Sequence, residues 1–154
     1  MAKDLYVEKS VVISRPAEKI YDFLKLMENQ NEFSVWVMKD QNKKTTLQGT
    51  DGTVGSIYSW DSKDKNVGAG SQQIINMVND QLIEYDLKFE RPMKNMAKAR
   101  FSLKPITAEQ TEVKWDFKGP TKFPMSLFKG IFQNMLGKDM AKSLSNLKVK
   151  LESP

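Results

Sequence analysis

A chain with no histidine and no cysteine must place any chemistry on carboxylates, lysines, tyrosines and hydroxyls. The two zeros remove the usual near-neutral general base, the commonest metal ligand, thiolate nucleophiles and zinc–thiolate sites. Among what remains, Asp139 is unexpected, because a helical wheel puts it among Phe128, Met135, Leu136 and Met140 on an apolar stripe. An acid there predicts one of two things: a cavity carboxylate that orients a ligand or works as a general acid/base, or an acid at a pocket rim that caps a local polar contact. Tyr58 and Tyr85 are further candidates for orienting a bound molecule. No constellation identifies a reaction, so the catalytic residues stay unassigned, and neither a metal nor a cofactor is expected. Gly68-Ala69-Gly70 has the look of a phosphate-binding fingerprint, but it precedes a strand instead of opening a helix, which discards that reading.

The larger candidate group is apolar. Tyr58, Trp60, Met77, Tyr85, Phe89, Phe101, Trp115, Phe117, Phe128, Phe132 and Met135 would face the space between a sheet and a helix. Each alone is explained by core packing. As a set they say more, because Ala97 and Ala99 share a face with Phe101 and Trp115, and small side chains in a wall of large ones leave space. The predicted ligand-binding set is therefore these aromatic and methionine residues together with Ala99 and Asp139. Nine methionines add polarizable surface that suits varied apolar shapes, or else fill gaps in an ordinary core.

The elements that must position these residues follow from periodicity. Leu5 to Ile13 reads as a strand, and Ser14-Arg15-Pro16-Ala17-Glu18 as the start of a helix with Ser14 as its N-cap. Ile20, Phe23, Leu24 and Met27 lie on one helical face, which fades by Glu28 to Glu32, and a second short turn falls around Phe33 to Val37. Beyond Met38 the period becomes two, which predicts strands near 39–48, 54–61, 68–78, 82–90, 96–105 and 111–118. In the last three, dry faces (Ile83, Tyr85, Leu87, Phe89; Ala97, Ala99, Phe101, Leu103; Val113, Trp115, Phe117) alternate with wet ones. The acidic wet face at 84–90 complements the basic one at 98–104, which predicts a hairpin, and the short connections predict an antiparallel meander. Pro124 opens a final helix whose apolar positions run from Phe128 to Leu151. At about 1.5 Å per residue it is too long for a flat sheet, so the sheet should curl around it. Gly130 and Gly137, on the side away from that stripe, predict close approach of a loop or a bend.

The 154 residues fit one domain, 1–154, with no internal repeat or boundary. A net charge of +5 arises from 24 basic residues interspersed with 19 acidic ones, which argues for a mixed surface and against nucleic acid as partner. Lys3, Asp4, Glu8 and Lys9 interrupt the first ten residues, and no run approaches a membrane span; a cytoplasmic protein without integral membrane association is expected. Oligomeric state is not legible.

Strand, helix pair, six strands and long helix occur in an order that resembles the START-like (SRPBCC) helix-grip superfamily, in its polyketide cyclase/dehydrase-like branch. The resemblance is carried by Ser10-Val11-Val12-Ile13 before Pro16-Ala17-Glu18 with Ile20, Tyr21 and Phe23; by Gly55-Ser56-Ile57-Tyr58-Ser59-Trp60; by Gly68-Ala69-Gly70 leading into Ile74-Ile75; by Thr111-Glu112-Val113-Lys114-Trp115; and by Met135-Leu136-Gly137-Lys138-Asp139-Met140 with Leu144 to Lys148. It runs from about residue 4 to 152. It implies an α+β helix-grip fold: a seven-stranded curved antiparallel sheet around a long C-terminal helix, with two short helices after the first strand and a ligand cavity between sheet and helix.

Fold alone does not decide function. The expectation is binding or transport of a small hydrophobic ligand, a lipid or aromatic metabolite. The alternative is a cyclase or dehydratase acting in the same cavity, for which no family catalytic pattern maps onto these residues. Lys122, Lys129, Lys138, Lys142, Lys148 and Lys150 could instead meet an anionic surface, or simply form a solvated helix face.

Overall fold

A computed structural model describes residues 4–64, 67–91, 94–120 and 129–154. Strands β1 (Asp4–Ile13), β2 (Lys44–Gln48), β3 (Ile57–Asp61), β4 (Ala69–Val78), β5 (Leu82–Arg91), β6 (Asn95–Thr107) and β7 (Gln110–Pro120) form one seven-stranded sheet in the order β1-β7-β6-β5-β4-β3-β2. Every pairing is antiparallel. Helix α1 (Ala17–Leu24), a 3-10 turn (Met27–Glu32) and helix α2 (Val35–Met38) carry the chain from one edge of the sheet to the other, and helix α3 (Lys129–Glu152) packs against β1. The expected helix-grip architecture is therefore the observed one.

The period-two strands explain the sheet. In the β5–β6 hairpin Glu84 faces Arg100 and Asp86 faces Lys98, as the charge pattern predicts. Lys98 Nζ reaches Asp86 Oδ1 at 2.9 Å, while Arg100 turns to Asp116 on β7, its Nε 2.6 Å from Oδ2. Between Ile74 and Asn76 the β4–β5 register slips by a residue, a bulge that bends the strand and adds to the curl. Ile13, Ile20, Leu24, Met27, Phe33, Ile74, Phe101, Val113, Met140, Leu144 and Leu147 fill the space between sheet and helices.

Several local expectations are corrected. Pro16, not Ser14, occupies the cap position of α1, with no side-chain cap; the Ser14 backbone N–H instead donates to Glu152 Oε2 at 2.7 Å. Strand β2 begins at Lys44 rather than near 39, because α2 runs on to Met38 and the turn after it is tied by the Lys43 ammonium. Strand β3 starts at Ile57 because Gly52 and Gly55 turn the chain with φ of 84° and 95°. Gly137 makes its close approach to a strand and not a loop: a Cβ there would lie 3.1 Å from Lys9 Cε and 3.6 Å from Val7 Cγ1 of β1. The expected helix start at Pro124 lies outside the described residues. Among the described residues, no helix is long and apolar enough to cross a membrane.

Candidate ligand-binding cavity

A cavity of about 300 Å³ lies between the inner face of the sheet, α2 and α3. Its floor comes from alternate residues of neighbouring strands: Tyr85, Leu87 and Phe89 on β5, Ala99 on β6, Trp115 and Phe117 on β7. Ala99 sits in register between Tyr85 and Phe117, so one methyl group stands where the flanking strands carry rings, and this contributes to the hollow. Tyr58, Trp60 and Gln72 complete the sheet side, Gln30, Ser34, Trp36 and Val37 form the roof, and Leu136 and Met140 of α3 close the far wall. Lys43, Val67 and Arg91 also border it.

Of the residues predicted to bind a ligand, Tyr58, Trp60, Tyr85, Phe89, Ala99, Trp115 and Phe117 line this space. The others do not. Phe101 shares the inner face but is packed solid, its ring stacked on Trp115 at 4.8 Å and edge-on to Phe33 and Tyr85. Met77 is half-buried against the core, Phe132 is half-buried, and Met135 points outward, 58% exposed. Phe128 lies outside the described residues. Asp139 is not in the lining; its Oδ2 accepts the Trp36 indole N–H at 2.9 Å, the local polar contact of the second expectation.

That contact belongs to a polar line on α3. Asp139, Ser143 and Asn146, spaced four and three residues apart, share one helical face. Ser143 Oγ accepts the Val35 backbone N–H at 2.9 Å, and Asn146 Nδ2 donates to the Phe33 carbonyl at 3.2 Å. Three hydrogen bonds thus hold the 33–36 roof onto α3. They position Trp36, which packs edge-on against Trp115 with ring centroids 6.1 Å apart. On the opposite side Trp60 is fixed by donating its indole N–H to the Val67 carbonyl at 3.2 Å and by lying over Gly70. A Cβ at Gly70 would come 2.9 Å from Trp60 Cζ2 and 2.5 Å from the Lys88 carbonyl oxygen, so only glycine fits.

The polar lining was not legible as such. Gln30 and Gln72, both buried, exchange reciprocal amide hydrogen bonds of 3.1 Å. Asn31 donates to the Tyr58 hydroxyl at 3.1 Å and accepts from Lys43 Nζ at 2.9 Å. Lys43 also donates to the carbonyls of Val37 and Asp40, so it meets neutral acceptors, and burial pulls its pKa below the ordinary lysine value although Asp40 pulls the other way. Arg91 at the border is paired with Asp61 and donates to the Ser62 carbonyl at 2.9 Å. The Tyr85 hydroxyl is buried beside Gln30, with no group among the described residues in good hydrogen-bond geometry to it, and burial pushes its pKa far above the usual tyrosine range. Of the lysines on the expected basic helix face, Lys148 and Lys150 are paired with Glu152 and Glu32.

A curved antiparallel sheet gripping one long helix, with an aromatic-walled hollow between them, defines the START-like helix-grip class. The chain belongs to the family described as polyketide cyclase / dehydrase and lipid transport, whose family model matches residues 5–152. No curated protein matches it by sequence. Its fold is similar to that of norcoclaurine synthase from Thalictrum flavum, with a TM-score of 0.70 and 12% identity over 99% of this chain and 91% of that one. It is likewise similar to Ara h 8.0201, with a TM-score of 0.69 and 10% identity over 99% and 100% of the two chains. A structural-genomics protein from Chromobacterium violaceum gives a TM-score of 0.68 and 13% identity over 97% and 99%.

Proposed function

We propose that this chain acts as a single cytoplasmic domain that binds or transports a small hydrophobic ligand, a lipid or an aromatic metabolite, in the cavity between sheet and α3. The observation that carries this reading is a hollow of about 300 Å³ kept open among Trp36, Trp60, Phe89, Trp115 and Phe117, with Ala99 where a larger residue would close it. Such a volume and lining suit a compact apolar molecule, and covering 200 Å² of ligand surface contributes about 5 kcal/mol before association costs. The similar fold of norcoclaurine synthase has been solved in complex with dopamine and hydroxybenzaldehyde, which are small aromatic compounds.

The test is titration with N-phenyl-1-naphthylamine, whose fluorescence rises in apolar surroundings. Saturable binding is expected, and it should weaken at least tenfold in Ala99→Leu while the variant still unfolds cooperatively. Absence of saturable binding to the unaltered chain would refute the proposal. Native mass spectrometry of protein purified from its own host should then reveal the retained molecule. A cyclase or dehydratase reading of the same cavity rests on the family's description. It would gain support from turnover of an aromatic polyketide that disappears in Tyr85→Phe.

A further inference from the structure

The wall of the cavity carries two cations and no carboxylate: Lys43 and Arg91 border the space, and every other lining residue is apolar or neutral. Arg91 is compensated by its pairing with Asp61. Lys43 is not. Its half-buried side chain donates to Asn31 Oδ1 at 2.9 Å and to the carbonyls of Val37 and Asp40 at 3.1 and 3.4 Å, all neutral acceptors. The acid that acts on it from a distance, Asp40, has its carboxylate engaged elsewhere, accepting from Ser62 Oγ at 2.5 Å and from the Asn42 backbone N–H at 2.8 Å. Capping the end of α2 explains why a donor stands at Lys43, but it leaves the positive charge without a paired anion among the described residues.

We propose that the cavity selects a monocarboxylate with an apolar body, whose anionic oxygen pairs with Lys43 Nζ while the body lies against the indoles and phenyl rings. The inference rests on the ligand-binding reading above and adds the ligand's charge and orientation. A carboxylate forms a stronger hydrogen bond to an ammonium than a neutral carbonyl does, so it can take the place of the Asp40 carbonyl, the longest of the three contacts. A wholly apolar ligand would cover part of the ammonium and return nothing for the water removed. A cationic one would meet Lys43 and Arg91 as like charges. One negative charge is the number that fits, because Arg91 already has Asp61 and a second anionic group would have to compete with that pair.

Matched pairs of probes test this. 2-Naphthoate and 2-naphthamide have nearly the same shape and differ in charge; octanoate and octanamide repeat the comparison on an aliphatic body and tell an aromatic acid from a fatty acid as the source of the carboxylate. In calorimetric titrations at neutral pH the acid of at least one pair should bind about tenfold tighter than its amide. Lys43→Met should abolish that preference and leave the amide's affinity unchanged. Equal affinities within both pairs, a preference that survives Lys43→Met, or failure of all four probes while N-phenyl-1-naphthylamine still binds would overturn the charge selectivity and leave hydrophobic binding intact. If N-phenyl-1-naphthylamine fails as well, the ligand-binding reading falls and this inference with it. A second measurement needs no variant: in NMR titrations with isotope-labelled lysine, the bound acid should raise the pKa of Lys43, because an adjacent anion favours the charged form, and the amide should not. The same pKa with both ligands bound would contradict the proposal.

Discussion

The Trp36 indole N–H donates to Asp139 Oδ2 at 2.9 Å, tying the roof of the cavity to the helix beneath it. The bond explains why an acid interrupts the apolar side of α3: it is the first of three polar residues, with Ser143 and Asn146, that hold the 33–36 segment in place. A hydrogen bond to an ionised acceptor contributes about 1.5–3 kcal/mol when partly shielded. Asp139→Ala is therefore expected to lower unfolding stability by about 2 kcal/mol in urea titrations, and Asp139→Asn, which keeps an acceptor, by less. A double-mutant cycle with Trp36→Phe should return a coupling of about 1 kcal/mol or more. Strict additivity would show that the contact holds nothing.

Gly70 leaves room for the Trp60 ring of the cavity wall to lie close against the sheet backbone. A methyl group at this position would meet the Lys88 carbonyl oxygen at 2.5 Å, a backbone atom that cannot swing aside. Gly70→Ala should thus cost about 1–3 kcal/mol, as overpacking does, and should displace Trp60. The checks are a denaturation curve and a changed fluorescence response to N-phenyl-1-naphthylamine. A variant as stable as the parent would show that β4 and β5 separate more easily than the geometry allows.

Periodicity made the sheet legible, because the middle of each strand from β5 to β7 alternates dry and wet, and the alternation names the inner face correctly. It does not say how far along that face the packed core ends and the hollow begins. Phe101 and Ala99 are both inward on β6, yet Phe101 is clamped by Phe33 and Trp115 while Ala99 borders open space. The roof was harder still. Trp36 and Val37 sit in a helix of four residues, too short to show a period, and Lys43 lies between a turn and the start of β2. Gln30 and Gln72 are polar, and polarity reads as surface. Two signals were nonetheless present: Gln72 has the same parity on β4 as Gly70 and Ile74, which makes it inward, and the spacing of Asp139, Ser143 and Asn146 marks a polar line that needs partners.

The two glycines of α3 should answer substitution in opposite ways. Among the described residues a Cβ at Gly130 would meet nothing within 4 Å, so Gly130→Ala gains helix propensity and loses unfolded-chain entropy without a clash there. A rise of about 0.5–1 kcal/mol is expected. Gly137 is pressed against Lys9 and Val7 of β1; Gly137→Leu would push helix and strand apart and lower stability by about 1–3 kcal/mol. Thermal melts of the two variants decide the matter, and equal shifts would mean that α3 does not rest on β1 at Gly137.

Tyr85 links the proposed ligand site to a pH dependence. Its folded pKa is raised by burial, first of all, and also by the negative charge of Asp51, whereas in the unfolded chain it titrates near 10. Below that pH both states hold the proton and Tyr85 makes stability independent of pH. Above it the unfolded chain releases the proton and the folded chain does not, so the unfolded state is favoured. Stability should then fall by up to about 1.4 kcal/mol per pH unit from this residue as pH rises past 10. Tyr85→Phe should remove that slope, and at neutral pH it should be no less stable than the parent, since the buried hydroxyl finds no well-formed hydrogen bond among the described residues. Urea titrations at pH 7, 10 and 11 measure both effects. A parent and variant with parallel pH profiles would mean that the Tyr85 hydroxyl reaches solvent and titrates in the folded chain much as in the unfolded one.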